Sequence, residues 1–297
     1  MANAIEFVRE GFTKDDNVRD AGLTTPEDIQ RYDDILYGWD PQWQVLDVYR
    51  PKNCEGKILP VIVSVHGGGW VYGDKERYQF YCMSLAQMGY AVVNFTYRLS
   101  PEFQFPAPVE DTNLVFSWVL EHAEECGFDR EHIFGISDSV GSNILGTFTA
   151  ICTNTELAKK YPFTTPEGFV PKAVAFNCGV YHIDMTPNGT SMDVMQELAR
   201  YHLPQGGTQE ELDLLCFAND ITESFPPVFF MTGTGDFMLD ETPILHRKLL
   251  EKQIPFVFRF YGDSFKKPLG HVFHCNIRLE DSVLCKTEEC EFFRKYL

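Results

Sequence analysis

Followed by its apolar and polar positions alone, the chain alternates short runs of β-branched and aromatic residues with longer stretches of helical period. Seven runs predict strands: QWQVLDVYRP (42–51), VIVSV (61–65), AVVNFTYRLS from Ala91, HIFGIS from His132, KAVAFNC from Lys172, PVFFMTG from Pro227 and PFVFRFYG from Pro255. Helix-like stretches lie between most of them, at 78–88, 109–125, 140–152, 242–252 and 279–296. Strands alternating with helices imply βαβ crossovers, and so an α/β fold with a mostly parallel central sheet and helices on both faces. Two stretches break the alternation. One is residues 1 to about 30; the other is the interval 179–223, far longer than a simple crossover needs. An insertion of that length covers a functional site or forms a small cap, which favours one large domain over the whole of 1–297 with an insertion.

Composition narrows the class. With 44% hydrophobic residues the chain has ample material for a core, and its 43 acidic against 25 basic residues give a formal charge of −18. No Lys/Arg-rich run appears, which argues against nucleic acid or an anionic membrane as partner. No window reaches the length of a membrane span, and the N-terminus is too polar too early for a secretory signal. The nine cysteines, at 54, 82, 126, 152, 178, 216, 275, 285 and 290, form no C-x-x-C pair. Free thiols in a reducing, cytoplasmic setting are the expectation, with no metal site.

The candidate chemistry starts at VIVSVHGGGWVYGD, where a buried strand ends in His66, three consecutive glycines and Trp70. Consecutive glycines are costly unless backbone must approach something closely or adopt positive φ. Neither phosphate-loop pattern is present. The next feature is Ser139 in HIFGISDSVGSN, on a strand-to-helix turn where a nucleophile elbow would hold its Oγ out of the sheet. Alone, such a serine is as easily a turn or helix cap. Two later positions change that reading: Asp236 in FFMTGTGDFMLDE and His271 in KKPLGHVFHCN each follow a strand, in the order nucleophile, acid, base.

Together, HGGGW, YRLSPEFQFPAPVED, SDSVGS, GDFMLDE and GHVF resemble the hormone-sensitive-lipase-like branch of the α/β-hydrolases, over roughly Tyr37 to the C-terminus. The resemblance implies an α/β-hydrolase fold with a small helical cap, here built from about 1–30 and 179–223. It implies a Ser139–Asp236–His271 triad that needs no cofactor. It also implies an oxyanion hole from the N–H groups of Gly67, Gly68 and Val140, each such donor contributing about 2.7–4 kcal/mol to the barrier. The family's elbow is G-D-S-A-G-G, from which this chain departs at Ser137, Val140 and Ser142. Asp138 takes a structural hydrogen-bonding role or borders the substrate pocket. Trp70 either lines that pocket or packs the loop. His66 reads as structural, Asp240 as a helix cap, His274 as a neighbour of the base, and Cys178 as a thiol with no motif around it. In the insertion, Tyr181, Met185, Met192, Met195, Tyr201, Leu203, Leu214, Leu215 and Phe217 are enough to roof a small apolar pocket.

The expected activity is hydrolysis of short acyl esters, acetyl to butyryl, of small-molecule alcohols through an acyl-enzyme. An amidase such as arylformamidase, whose family carries H-G-G-x-W, is the rival within the same mechanism. A ligand-binding receptor on a hydrolase scaffold is the rival from another class. By analogy with such folds, a homodimer is the expected association if there is one.

Overall fold

The predicted strands pair into a single sheet, joined by an eighth at its edge. The computed structural model describes residues 4–186, 192–263 and 265–297. In chain order the strands are β1 (Ile29–Leu36), β2 (Val45–Pro51), β3 (Leu59–Val65), β4 (Ala91–Phe95), β5 (Phe128–Asp138), β6 (Val174–Asn177), β7 (Val228–Gly233) and β8 (Phe256–Tyr261). They lie side by side as β1-β2-β4-β3-β5-β6-β7-β8, and only β2 runs antiparallel to its neighbours. The helices are α1 (Ala4–Asp20), α2 (Lys75–Ala86), α3 (Ala107–Glu121), α4 (Ala123–Cys126), α5 (Val140–Thr153), α6 (Thr155–Ala158), α7 (Met192–His202), α8 (Gln209–Leu215), α9 (Thr242–Glu251) and α10 (Glu280–Arg294). Among the described residues no helix is long and apolar enough to cross a membrane.

The central strands are mostly apolar because both their faces are covered. On β3, Val61, Val63 and Val65 pack with Phe116 of α3, Leu145 of α5 and Leu249 of α9, whereas Ile62 faces Cys82 and Leu85 of α2 and Phe293 of α10. Strand β1 escaped the hydrophobic pattern for the opposite reason. It is an edge strand, IQRYDDIL, with only Ile29 fully buried, and a bulge between Tyr32 and Ile35 breaks its alternation. The helix α1 likewise buries only Ile5 and Val8. Polar contacts hold it in place: Arg9 donates to the Val71 and Ser100 carbonyls at 2.8 and 3.1 Å, and Arg278 donates to the Arg19 and Ala21 carbonyls.

The two stretches that broke the alternation come together. Helix α1 packs against α7, and α7 lies over the glycine loop that follows β3, where Leu198 leaves no room for a side chain at Gly69. Residues 187–191 and the Met192 side chain, part of the expected insertion, lie outside the described residues.

The YRLSPEFQFPAPVED segment forms a buried ionic clasp. The Asp111 carboxylate, fully buried in α3, accepts from the Arg98 backbone N–H at 2.8 Å, from Arg98 Nε at 2.9 Å and from Gln44 Nε2 at 2.7 Å. Arg98 also reaches Glu110 at 2.6 Å. Removing one partner of a buried pair leaves the other charge uncompensated, which costs about 3–5 kcal/mol. Asp111→Ala is therefore expected to lower unfolding stability in urea by roughly 3 kcal/mol or more; a loss below about 0.5 kcal/mol, the ordinary surface value, would refute the clasp.

Candidate active site

Strands β3, β5, β6 and β7 are parallel and in register, so the loops after them open at one edge of the sheet. Ser139 is the first residue beyond β5 and precedes α5. Its backbone is held at φ 49° and ψ −125°, outside the regions an L-residue prefers, by its own N–H donating to the Asn177 carbonyl (2.9 Å) and by Val180 N–H donating to the Ser139 carbonyl (3.0 Å). Such a conformation costs of order 1–3 kcal/mol and persists only where its surroundings over-determine it. A side chain at Gly141 would place Cβ 2.2 Å from the Val65 carbonyl oxygen, which is why that elbow glycine remains. Ser137 has no positive φ and tolerates a Cβ; its hydroxyl donates to Ser142 Oγ at 3.2 Å, so two of the three departures from the family elbow compensate one another.

Asp236 lies on the turn after β7 and His271 on the loop after β8. The His271 Nδ1–H donates to Asp236 Oδ1 at 2.8 Å; the Met238 N–H donates to the same oxygen at 2.9 Å, and the Thr232 hydroxyl to Oδ2 at 2.8 Å. Burial alone would raise the Asp236 pKa. The His271 hydrogen bond and charge, the Cys178 thiol and the Met238 N–H outweigh it and hold the carboxyl down at about 2. Phe237 lies 4.4 Å from the imidazole, ring centre to ring centre. Ser139 and His271 line one cavity of about 410 Å³, together with Gly68, Phe237 and, from α1, Phe12 and Asp16. Asp240 is exposed on the turn before α9 and makes no side-chain cap, in contrast to the expectation; the neighbouring Glu241 carboxylate instead accepts the Tyr181 and His182 N–H groups at 2.9 and 2.8 Å. His274 is fully buried, and burial first, then the nearby charges of His271 and Arg19, pushes its pKa down to about 3.

The glycine loop requires one correction. The Gly67 N–H is already donated inward, to Asp138 Oδ1 and Tyr78 Oη, both at 3.1 Å, so it does not face the cavity as an oxyanion donor. Gly68, at φ 113°, lines the cavity, and its N–H meets no acceptor among the described residues. A side chain there would place Cβ 2.1 Å from the Tyr72 carbonyl oxygen. Val140, at the first position of α5, has an N–H that no preceding helical turn can accept. Trp70, open between lining the pocket and packing the loop, packs: it is wholly buried, stacked 4.9 Å from the His202 ring of α7, and is absent from the cavity lining. It pins α7 to the loop.

Asp138 lines the cavity and also joins the elbow to the glycine loop, accepting from Gly67 N–H and from the Tyr78 hydroxyl at 2.8 Å. Burial pushes its carboxyl up to about 7, against the pull of those donors and of His271. His66, expected to be structural, stacks 4.0 Å from Tyr97, and burial lowers its pKa to about 4. Tyr78, Thr232 and the α1 residues carried no motif in the sequence; each is found only through the side chain it meets. Among the described residues, two groups of side chains have metal-ligand character, Asp138–His274–Cys275 and Cys178–Asp236–His271. The carboxylates in both are already met by hydrogen-bond donors from the protein.

This arrangement has known counterparts. The sequence model of the BD-FAE family matches residues 46–249. The chain is 29% identical to the versiconal hemiacetal acetate esterase of Dothistroma septosporum over 70% of its own length, and 25% identical to the acetyl esterase of Salmonella schwarzengrund over 72%. In both cases the match spans 66% of the relative, just under two thirds of its length. Among solved structures, esterase B from Lactobacillus Rhamnosis superposes with a TM-score of 0.87 at 24% identity, over 99% of this chain and 95% of that one, a likeness of fold. With more than half of its length matched by the family's model, the chain belongs to the BD-FAE family, and its eight-stranded sheet is that of the α/β-hydrolases.

Proposed function

We propose that this protein is a serine carboxylesterase for short acyl esters. The observation that carries the reading is the shared cavity, in which a strained Ser139 faces the same space as an imidazole whose far nitrogen is held by an ionised carboxylate. Ser139 Oγ attacks the ester carbonyl as His271 Nε2 accepts its proton, and Asp236 stabilises the imidazolium that results. The Gly68 and Val140 N–H groups receive the developing oxyanion. The imidazolium then gives that proton to the departing alcohol, leaving the acyl-enzyme; water attacks it with His271 again as base, and the carboxylic acid leaves as the proton returns to Ser139. Helices α1 and α7 and the insertion around them act as the cap over this cavity. A volume of about 410 Å³ is at the lower end of small-molecule sites, which supports a short acyl chain. The names of the two relatives above, both acetate or acetyl esterases, support the same class. Nine cysteines without a disulfide support a reducing, cytoplasmic setting.

Two outcomes test this. Purified protein is expected to hydrolyse p-nitrophenyl acetate and butyrate faster than the octanoate and palmitate, and Ser139→Ala to lose at least about 1,000-fold in kcat. Activity surviving in that variant would place the nucleophile elsewhere. The pH dependence gives the second test. Asp236 remains ionised down to about pH 2, so a fall in kcat/KM on acidification from neutral pH towards about 5 does not come from its protonation. Asp138 also titrates in this range, and the fall is expected to persist in Asp138→Asn. A profile flat between pH 5 and 8 would contradict a histidine base.

A further inference from the structure

We propose that Cys178 is a positioning residue of the Asp236–His271 pair, through a thiol that donates to the Asp236 carboxylate and a sulfur that accepts from the loop carrying His271. The inference rests on the esterase reading above. Cys178 is the first residue beyond β6, the strand between the one that delivers Ser139 and the one that delivers Asp236. Its backbone has φ 48°, a left-handed conformation that non-glycine residues seldom adopt, and its N–H donates to the Met231 carbonyl at 2.8 Å. A glycine would hold that backbone without strain, so the reason for a side chain here lies in what the side chain meets.

The sulfur, an Asp236 carboxylate oxygen and a His271 ring nitrogen all lie within 4.8 Å of one another, and all three groups are buried or nearly so. At that separation the thiol pulls on the Asp236 charge, and the Val272 N–H, next to the histidine, pulls on the sulfur. Val272 is itself left-handed, at φ 50°. Two strained residues therefore meet at one atom, on the side of the acid–base pair away from substrate. Burial first, and then the neighbouring Asp236 charge, pushes the thiol well above its ordinary value, so it remains an S–H donor across the working range.

The electrostatic consequence has a definite sign. Every donor to Asp236 takes a share of its charge, leaving less to hold a proton on the imidazole. Without the thiol, more of the Asp236 charge is left to the imidazole, and the acidic limb of kcat/KM moves up. The other titratable groups around His271 are Asp138 and His274 behind it, and Asp15, Asp16 and Arg19 of α1 across the cavity. All of these are common to parent and variant, so the difference between their profiles isolates the thiol.

The test compares the parent with Cys178→Ala and Cys178→Ser in the full chain. The alanine variant is expected to lose about 10-fold in kcat/KM, mostly in kcat, with its acidic limb shifted up by about half a pH unit or more. Serine, which keeps a donor at that position, is expected to restore both towards the parent. The proton NMR signal of the His271 Nδ1–H, which needs no turnover, is expected to shift in alanine and return in serine. If alanine does not fold, Cys178→Gly removes the thiol while relieving the positive φ. Equal limbs and an unmoved Nδ1–H signal in parent and alanine variant would overturn the proposal, as would equal changes in alanine and serine, which would mark a packing effect. A parent that hydrolyses no ester would overturn the esterase reading instead, and the NMR comparison would still decide the thiol's part.

Discussion

An ionised carboxylate buried away from water costs several kcal/mol unless donors meet it, and Asp236 is met from every side. Thr232 comes from β7 itself, the Met238 N–H from the turn beyond it, and the His271 Nδ1–H from the loop after β8. Those donors keep Asp236 charged, and the charge fixes both the tautomer and the direction of the imidazole. Three separate pieces of backbone must be in register for this to happen. The sheet therefore stabilises the charge, and the charge specifies how the ends of β7 and β8 are arranged.

Asp138 makes the corresponding link on the other side of Ser139. One residue before the elbow serine, it receives the Gly67 N–H and the Tyr78 hydroxyl, so the glycine loop after β3 and the helix α2 are registered against the end of β5. The Gly67 N–H is used in this tie, and the next glycine lines the cavity instead. Helix α1 lines the cavity through Phe12 and Asp16, while α7 packs against α1; their contacts with the glycine loop run through Arg9, Leu198 and the stacked pair Trp70–His202. Helix α1, which buries few side chains of its own, is thus held largely by directional contacts near the site.

Much of this was legible in the sequence where burial dictates residue type. The strands covered on both faces, such as Val61–Val65, are mostly apolar, and the serine, aspartate and histidine follow predicted strands in the expected order. The glycines were also legible as places of close approach, since a Cβ at Gly68 or Gly141 would strike a carbonyl oxygen. Elements held by polar or edge contacts were not. Strand β1 and helix α1 bury too few side chains to show a period. The direction of a single N–H, on which the assignment of Gly67 turned, is a tertiary fact set by Asp138 far along the chain. Trp70 was left open between lining a pocket and packing, because an aromatic side chain serves either equally well, and its His202 partner lies on a helix the pattern did not delimit. Cys178 and Thr232 act through Asp236 and have no motif to announce them.

The central claim is that Ser139, and no other group, is made nucleophilic by this arrangement. The most direct measurement is the mass of the intact protein, followed by peptide mapping, after exposure to an alkyl phosphonate ester that reacts only with activated serines. The account predicts a single adduct per chain, located at Ser139, forming more slowly as pH falls. An unmodified protein, or an adduct on another residue, would contradict it.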